Sequence, residues 1–185
     1  VLWYLTGAER EGPVSSLAAT FLGIVYVGVL GSFTTLIARI GPVGEGVTTE
    51  QGVSILLLAA FGAVASDVGG LLVGQRVGRT ALTSVSPGKT AGGLIGGLAA
   101  AVVAVVVVGQ IFGPFSLGQL LLFGIVCGVA APLGDVAASL FKRDLGIKDW
   151  GDILPGHGGV LDRFDGLLFV LPATYYLTRV LLPLG

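Results

Sequence analysis

Five apolar stretches, each close to the length that crosses a bilayer, constrain this chain more than anything else in it. A hydrocarbon core of about 30 Å takes roughly 20 helical residues. Residues 14–38, 53–74, 91–108, 117–141 and 160–182 meet that requirement. In lipid a helix satisfies its own backbone polar groups, whereas an open sheet edge does not. The predicted fold is therefore all-α, a polytopic bundle of five transmembrane helices. Composition agrees, with 54% hydrophobic and 11% charged residues and a mean hydropathy of +0.95. Soluble domains carry about 25% charged residues, so this balance excludes a disordered chain, a basic nucleic-acid module and an ordinary water-soluble enzyme.

Small residues and breakers refine that picture. The 32 glycines follow no collagen-like period and suit membrane helices that approach backbone to backbone. Gly93 with Gly97 and Gly124 with Gly128 form GxxxG faces, expected to serve helix packing first and a homodimer contact second. Pro132 is expected to free the Gly128 carbonyl and kink the fourth span near Asp135. The single cysteine, Cys127, excludes an intrachain disulfide or a cysteine zinc site and reads as inert packing. Residues 1–5 (VLWYL) are apolar and then stop, like the tail of an earlier span, and no basic stretch precedes them as in a signal peptide. With no Met in the chain, the expectation is one integral-membrane catalytic domain over residues 1–185 that lacks N-terminal spans.

Charge sets the orientation. Arg10, Arg76, Arg79, Lys89, Lys142, Arg143, Lys148 and Arg163 fall on one side, and Arg39 and Arg179 on the other. The positive-inside rule puts the first side in the cytoplasm and the C-terminus outside. Trp3 and Trp150 read as interfacial aromatics. Three Lys against seven Arg point to a GC-rich bacterial source, hence a bacterial cytoplasmic membrane.

Four acids lie in or at the edge of spans: Asp67, Asp135, Asp162 and Asp165. A carboxylate at mid-bilayer costs about 2.5–3.5 kcal/mol on insertion scales, so such groups face a protein interior and work there. At about 1.5 Å rise per residue, Asp67 lies roughly 12 Å before Gln75 and Asp135 roughly 10 Å before Lys142. Asp162 and Asp165 share a face in the first turns of the last span. Any one Asp could pair with a nearby Arg or cap a helix; four approaching the same basic side favour a shared task. Carboxylates beside Lys and Arg suit Mg²⁺ and phosphate groups.

Two connections carry the remaining chemistry. Ser86-Pro87-Gly88-Lys89-Thr90 places hydroxyls, a turn and a Lys before a Gly-rich span, as a phosphate cradle or an interfacial turn would. It lacks the Walker A pattern. The second connection, residues 139–165, holds Ser139, Lys142, Arg143, Lys148, Asp149, Pro155, Gly156, His157, Gly158, Gly159, Asp162, Arg163 and Asp165.

That run resembles the C-terminal hallmark of the phosphatidate cytidylyltransferases (CDP-diacylglycerol synthases), SxxKRxxxxKDxxxxxPGHGGxxDRxD, with every fixed position present. Upstream, Asp67, Ser86, Pro87, Lys89, Thr90 and Gly93 match the family's Asp and its Ser-Pro-x-Lys-Thr-x-Glu-Gly loop. Gly92 stands where that family usually has Glu, and Gly70-Leu71 where Ala-Tyr is common. The resemblance covers about residues 61–172, and complete members carry additional spans before them. It implies transfer of a cytidylyl group from CTP to phosphatidic acid, giving CDP-diacylglycerol and pyrophosphate at the bilayer surface.

The resemblance also implies a metal centre of Mg²⁺, which can include a monovalent cation such as K⁺. Asp135, Asp162 and Asp165 are the expected carboxylates, and Asp67 a further metal contact or an anchor for a basic side chain. Lys142, Arg143, Lys148 and Arg163 would hold triphosphate or lipid phosphate. Ser86, Lys89 and Thr90 would complete the cradle, with Ser139, Gly158 and Gly159 beside the bound nucleotide; glycines let backbone approach phosphate. For His157, proton transfer, phosphate or backbone hydrogen bonding, and a plain loop role stay open.

Neighbouring activities leave different marks. Asp162 to Gly166 matches the DxxDG of CDP-alcohol phosphotransferases, yet no acid follows Gly166, where that motif needs a second acidic pair. A CTP-dependent lipid kinase would use the same metal and nucleotide but attack the γ-phosphate. A transporter would use buried acids reachable from both sides and an internal repeat; here the acids gather on one side.

Overall fold

The computed structural model describes residues 13–40, 50–77, 89–151 and 159–181. They form five helices: α1 (Pro13–Ala38), α2 (Glu50–Val77), α3 (Ala91–Phe112), α4 (Leu117–Asp144) and α5 (Leu161–Tyr176). The all-helical expectation is borne out, and α1 to α4 are each long and apolar enough to cross a membrane. The apolar residues 1–5, including Trp3, lie outside the described residues, as does Arg10.

Local signals explain where helices begin. Thr90 caps α3, its Oγ1 accepting the Gly93 N–H at 3.1 Å. Ser116 caps α4 in a reciprocal box: Gln119 N–H donates to Ser116 Oγ at 3.3 Å, and Ser116 N–H donates to Gln119 Oε1 at 2.9 Å. Each bond satisfies a backbone donor that the first turn leaves open.

The fifth span differs from expectation. Its α-helical part ends at Tyr176, and Leu177–Leu181 continues as a π-helical turn. Pro172 contributes no N–H. Thr174 donates back to the carbonyls of Val170 and Leu171 at 2.9 and 3.0 Å, and Thr178 to that of Thr174 at 2.8 Å. Hydroxyls that compete for these carbonyls loosen the regular ladder. Pro132, by contrast, lies inside α4, which continues through it to Asp144.

Packing centres on α2, α3, α4 and α5, with α1 laid against α5 and α2. Ile55, Leu58, Val105, Leu120, Phe123 and Val170 are fully buried in one core. Cys127 is buried there as a free thiol, in keeping with a packing role. Outer faces remain apolar, with Phe21, Val64, Ile95, Val103 and Ile111 exposed. A helix apolar on all sides belongs in lipid. Both GxxxG faces are used within the chain: Gly93 and Gly97 meet α2, while Gly124 and Gly128 meet Val102 and Leu98 of α3.

Candidate active site

Two backbone crossings set the acids in place. At the α2–α3 crossing, a Cβ on Gly93 would stand 2.8 Å from the Gly70 carbonyl oxygen, and one on Gly97 2.6 Å from that of Ser66. At the α4–α5 crossing, a Cβ on Gly134 would stand 2.6 Å from the Asp165 carbonyl oxygen. Only glycine permits such approach. These glycines neighbour the acids in sequence: Gly134 precedes Asp135, Gly166 follows Asp165, and Gly70 comes three after Asp67. Helix contact and acid placement are thus one feature of the sequence.

A cleft of about 240 Å³ opens where the α2–α3 crossing meets α4, walled by Asp67 of α2, Lys89, Thr90 and Gly93 at the start of α3, and Pro132 and Asp135 of α4. Lys89 Nζ pairs with Asp135 Oδ2 and donates to the Pro132 carbonyl at 3.2 Å. The cleft therefore holds a lysine beside the N-terminus of α3, whose dipole adds positive potential. Asp67 is exposed at the cleft wall. Asp67, Asp135 and Asp165 lie close enough to interact through their charges. Asp165 is 5% exposed, and its Oδ1 accepts the Gly166 N–H at 2.8 Å.

Asp162 has a different setting. Its Oδ1 accepts from Lys142 Nζ at 2.7 Å. Its Oδ2 accepts backbone N–H groups of Trp150 and Gly159 at 2.8 and 2.9 Å. One carboxylate thereby ties the end of α4, the segment after it and the start of α5. Trp150, expected at an interface, is half-buried.

Among the described residues, no three His, Cys, Asp or Glu side chains converge closely enough to hold a metal ion. The donor chemistry still fits a hard cation at the α4–α5 crossing. Asp135 and Asp165 each engage one oxygen with a protein group among the described residues, leaving the second for a ligand. Mg²⁺ typically takes one or two carboxylates, with substrate phosphates and water completing its shell. Asp162, which already accepts one bond at Oδ1 and two at Oδ2, would join through the remaining Oδ1 lone pair or on release of Lys142.

The sequence matches the Cytidylyltransferase family over residues 1–181. The chain belongs to that family. It is 30% identical over 203 residues to a phosphatidate cytidylyltransferase of Synechocystis sp., a match covering 99% of this chain and 69% of the relative. A phosphatidate cytidylyltransferase of Staphylococcus saprophyticus is 41% identical over 175 residues, 93% of this chain and 63% of the relative. One from Helicobacter pylori is 43% identical over 126 residues, 67% of this chain and 47% of the relative. The chain thus spans between about half and about two-thirds of the length of these relatives. The family membership read from residues 139–165 is borne out.

Within this cytidylyltransferase fold the expected site residues fall into three groups. Lys89, Thr90, Asp67 and Asp135 share the cleft, with Asp165 beside it. Lys142, Asp162 and Gly159 form the second cluster, and Ser139 lies half-buried one turn after Asp135. Arg143, Lys148 and Arg163 have exposed side chains. Ser86, His157 and Gly158 lie outside the described residues. Sequence reasoning missed Ser66 and the Pro132 carbonyl. Ser66 carries a readable signal, standing directly before an intramembrane Asp; which helix it would face carries none.

Proposed function

We propose that the protein transfers a cytidylyl group from CTP to phosphatidic acid, forming CDP-diacylglycerol and releasing pyrophosphate. The observation that carries this reading is the Lys89–Asp135 pair in an open cleft at the start of α3, beside the buried Asp165. Such a site offers cationic groups for phosphate and free carboxylate oxygens for a divalent cation.

The chemistry asks little proton transfer of the protein. A phosphate monoester has its second pKa near about 6, so the attacking group is largely a dianion at neutral pH. Its oxygen forms the new bond to the α-phosphorus of CTP, and the bond from that phosphorus to the β-phosphate bridging oxygen breaks. Pyrophosphate leaves with the electron pair. What the chain must supply is alignment and neutralisation of crowded negative charge. Lys89 and Thr90, with Ser86, cradle phosphate at the helix start. Lys142, Arg143, Lys148 and Arg163 hold the triphosphate or the lipid phosphate, and Ser139, Gly158 and Gly159 line the nucleotide. His157 serves as a hydrogen-bonding group to phosphate or backbone. Asp135 and Asp165 would hold Mg²⁺, with Asp162 joining on release of Lys142 and Asp67 as an outer contact. Bound there, the cation would offset phosphate charge and polarise the α-phosphate; a monovalent ion such as K⁺ is a candidate second occupant.

Eight of ten Lys and Arg on one side favour a site that faces the cytoplasm, with the C-terminus outside. The test is product analysis of the full-length protein in detergent with phosphatidic acid, Mg²⁺ and labelled CTP. Label from the α-phosphate should enter lipid and label from the γ-phosphate should leave as pyrophosphate. Lipid labelled only from the γ-phosphate would make the protein a kinase and overturn the reading.

A further inference from the structure

Most of α1 is exposed along its length, but Tyr26 turns inward. Its ring packs edge-on against Phe141 of α4, with centroids 5.5 Å apart, and at 6.2 Å from Phe169 of α5. Phe169 comes four residues after Asp165 and so lies on the same helix face, one turn along. Phe141 comes seven after Gly134, again on one face. Tyr26 therefore covers the seam where α4 and α5 cross, the seam that carries Asp135 and Asp165.

Packing alone would be served by a third Phe. The hydroxyl is the feature that needs a reason. Tyr26 Oη is buried and finds no hydrogen-bond partner among the described residues, and it lies within electrostatic reach of both Asp165 and Asp135. A buried hydroxyl without a partner is destabilising unless a ligand supplies one. Hydrogen-bond donors poised where negative charge gathers are the common currency of phosphoryl-transfer sites.

We infer that Tyr26 is a substrate-contacting residue, its hydroxyl donating a hydrogen bond to a phosphate oxygen bound at the Asp135–Asp165 crossing. The inference rests on the cytidylyl-transfer reading above. The phenol keeps its proton; it adds a donor from a third helix to those supplied by α3 and α4. α1 thereby becomes part of the site instead of a lipid-facing support.

The test is Tyr26→Phe in the full-length protein, which preserves the ring on Phe141 and Phe169 and removes only the donor. With dioctanoyl phosphatidic acid and CTP, kcat/KM should fall at least about 10-fold, while the melting temperature in detergent stays within about 2 °C. Pyrophosphate binding in Mg²⁺, followed by calorimetry, should weaken at least about 5-fold; this readout needs no turnover and so stands apart from the activity assignment. Wild-type pyrophosphate affinity in the variant would overturn the inference. So would weakened binding accompanied by a larger drop in melting temperature, since the hydroxyl would then be structural.

Discussion

The two lysine–aspartate pairs of the site differ in what they leave open. In the Lys89–Asp135 pair the side chains are 21% and 32% exposed, and the carboxylate meets one lysine in an open cleft. In the Lys142–Asp162 pair they are 12% and 9% exposed, and two backbone N–H groups complete the carboxylate's bonding. The first pair, being more exposed, would exchange partners more readily. The second ties the helix ends together and yields only to a ligand that replaces its bonds, because each bond given up otherwise leaves a sheltered donor or acceptor without a partner. Equal residue types, both within a family hallmark or its surroundings, thus differ in how readily they exchange partners, according to how many of their bonds the fold already satisfies.

The largest effect that sharpens this contrast is on turnover. Asp135→Asn should lower kcat by about 10³-fold or more while the melting temperature moves by no more than about 2 °C. Asp162→Asn should also abolish turnover, but with a melting temperature lower by about 4 °C or more, because charge-assisted bonds to Lys142, Trp150 and Gly159 weaken together. Parallel activity assays and thermal melts in detergent check both, and an Asp162→Asn protein as stable as wild type would break the comparison.

Smaller effects follow from the lysines. Lys142→Ala leaves a sheltered carboxylate short of its counter-charge and should destabilise by about 2 kcal/mol. Lys89→Ala removes a partner from a more exposed pair and should cost under about 1 kcal/mol, while raising the KM for CTP. Denaturation in mixed micelles measures the first pair of numbers and steady-state kinetics the last. Equal destabilisation by the two substitutions would erase the distinction drawn between the pairs.

Much of the architecture was legible in advance, for physical reasons that act locally. Expected spans at 53–74 and 117–141 became α2 (Glu50–Val77) and α4 (Leu117–Asp144), since length and apolarity alone decide a helix in lipid. The observed helices run further, because hydropathy marks the hydrocarbon region and the backbone ladder extends past it. The expected starts at 91 and 117 coincide with those of α3 and α4, where Thr90 and Ser116 cap the helices through short-range side-chain bonds. The acids announced themselves by being acids in apolar spans.

What could not be read is long-range pairing. Nothing local says that Gly134 will meet the Asp165 carbonyl or Gly93 that of Gly70, because many glycines offer the same smooth surface. The grouping of Asp67 with Asp135 and Asp165, with Asp162 drawn to Lys142, depends on those crossings. Tyr26 was invisible for the same reason: in sequence it is one aromatic in an apolar span, and only the α4–α5 seam gives its hydroxyl a setting.

The proposed reaction requires a divalent cation held by Asp135 and Asp165 at the α4–α5 crossing. Mn²⁺ titration of the full-length protein, followed by electron paramagnetic resonance with CTP present, tests it directly. One bound Mn²⁺ per chain in the wild type, lost in Asp135→Asn, is the predicted result. Mn²⁺ bound with the same affinity in Asp135→Asn would contradict the claim.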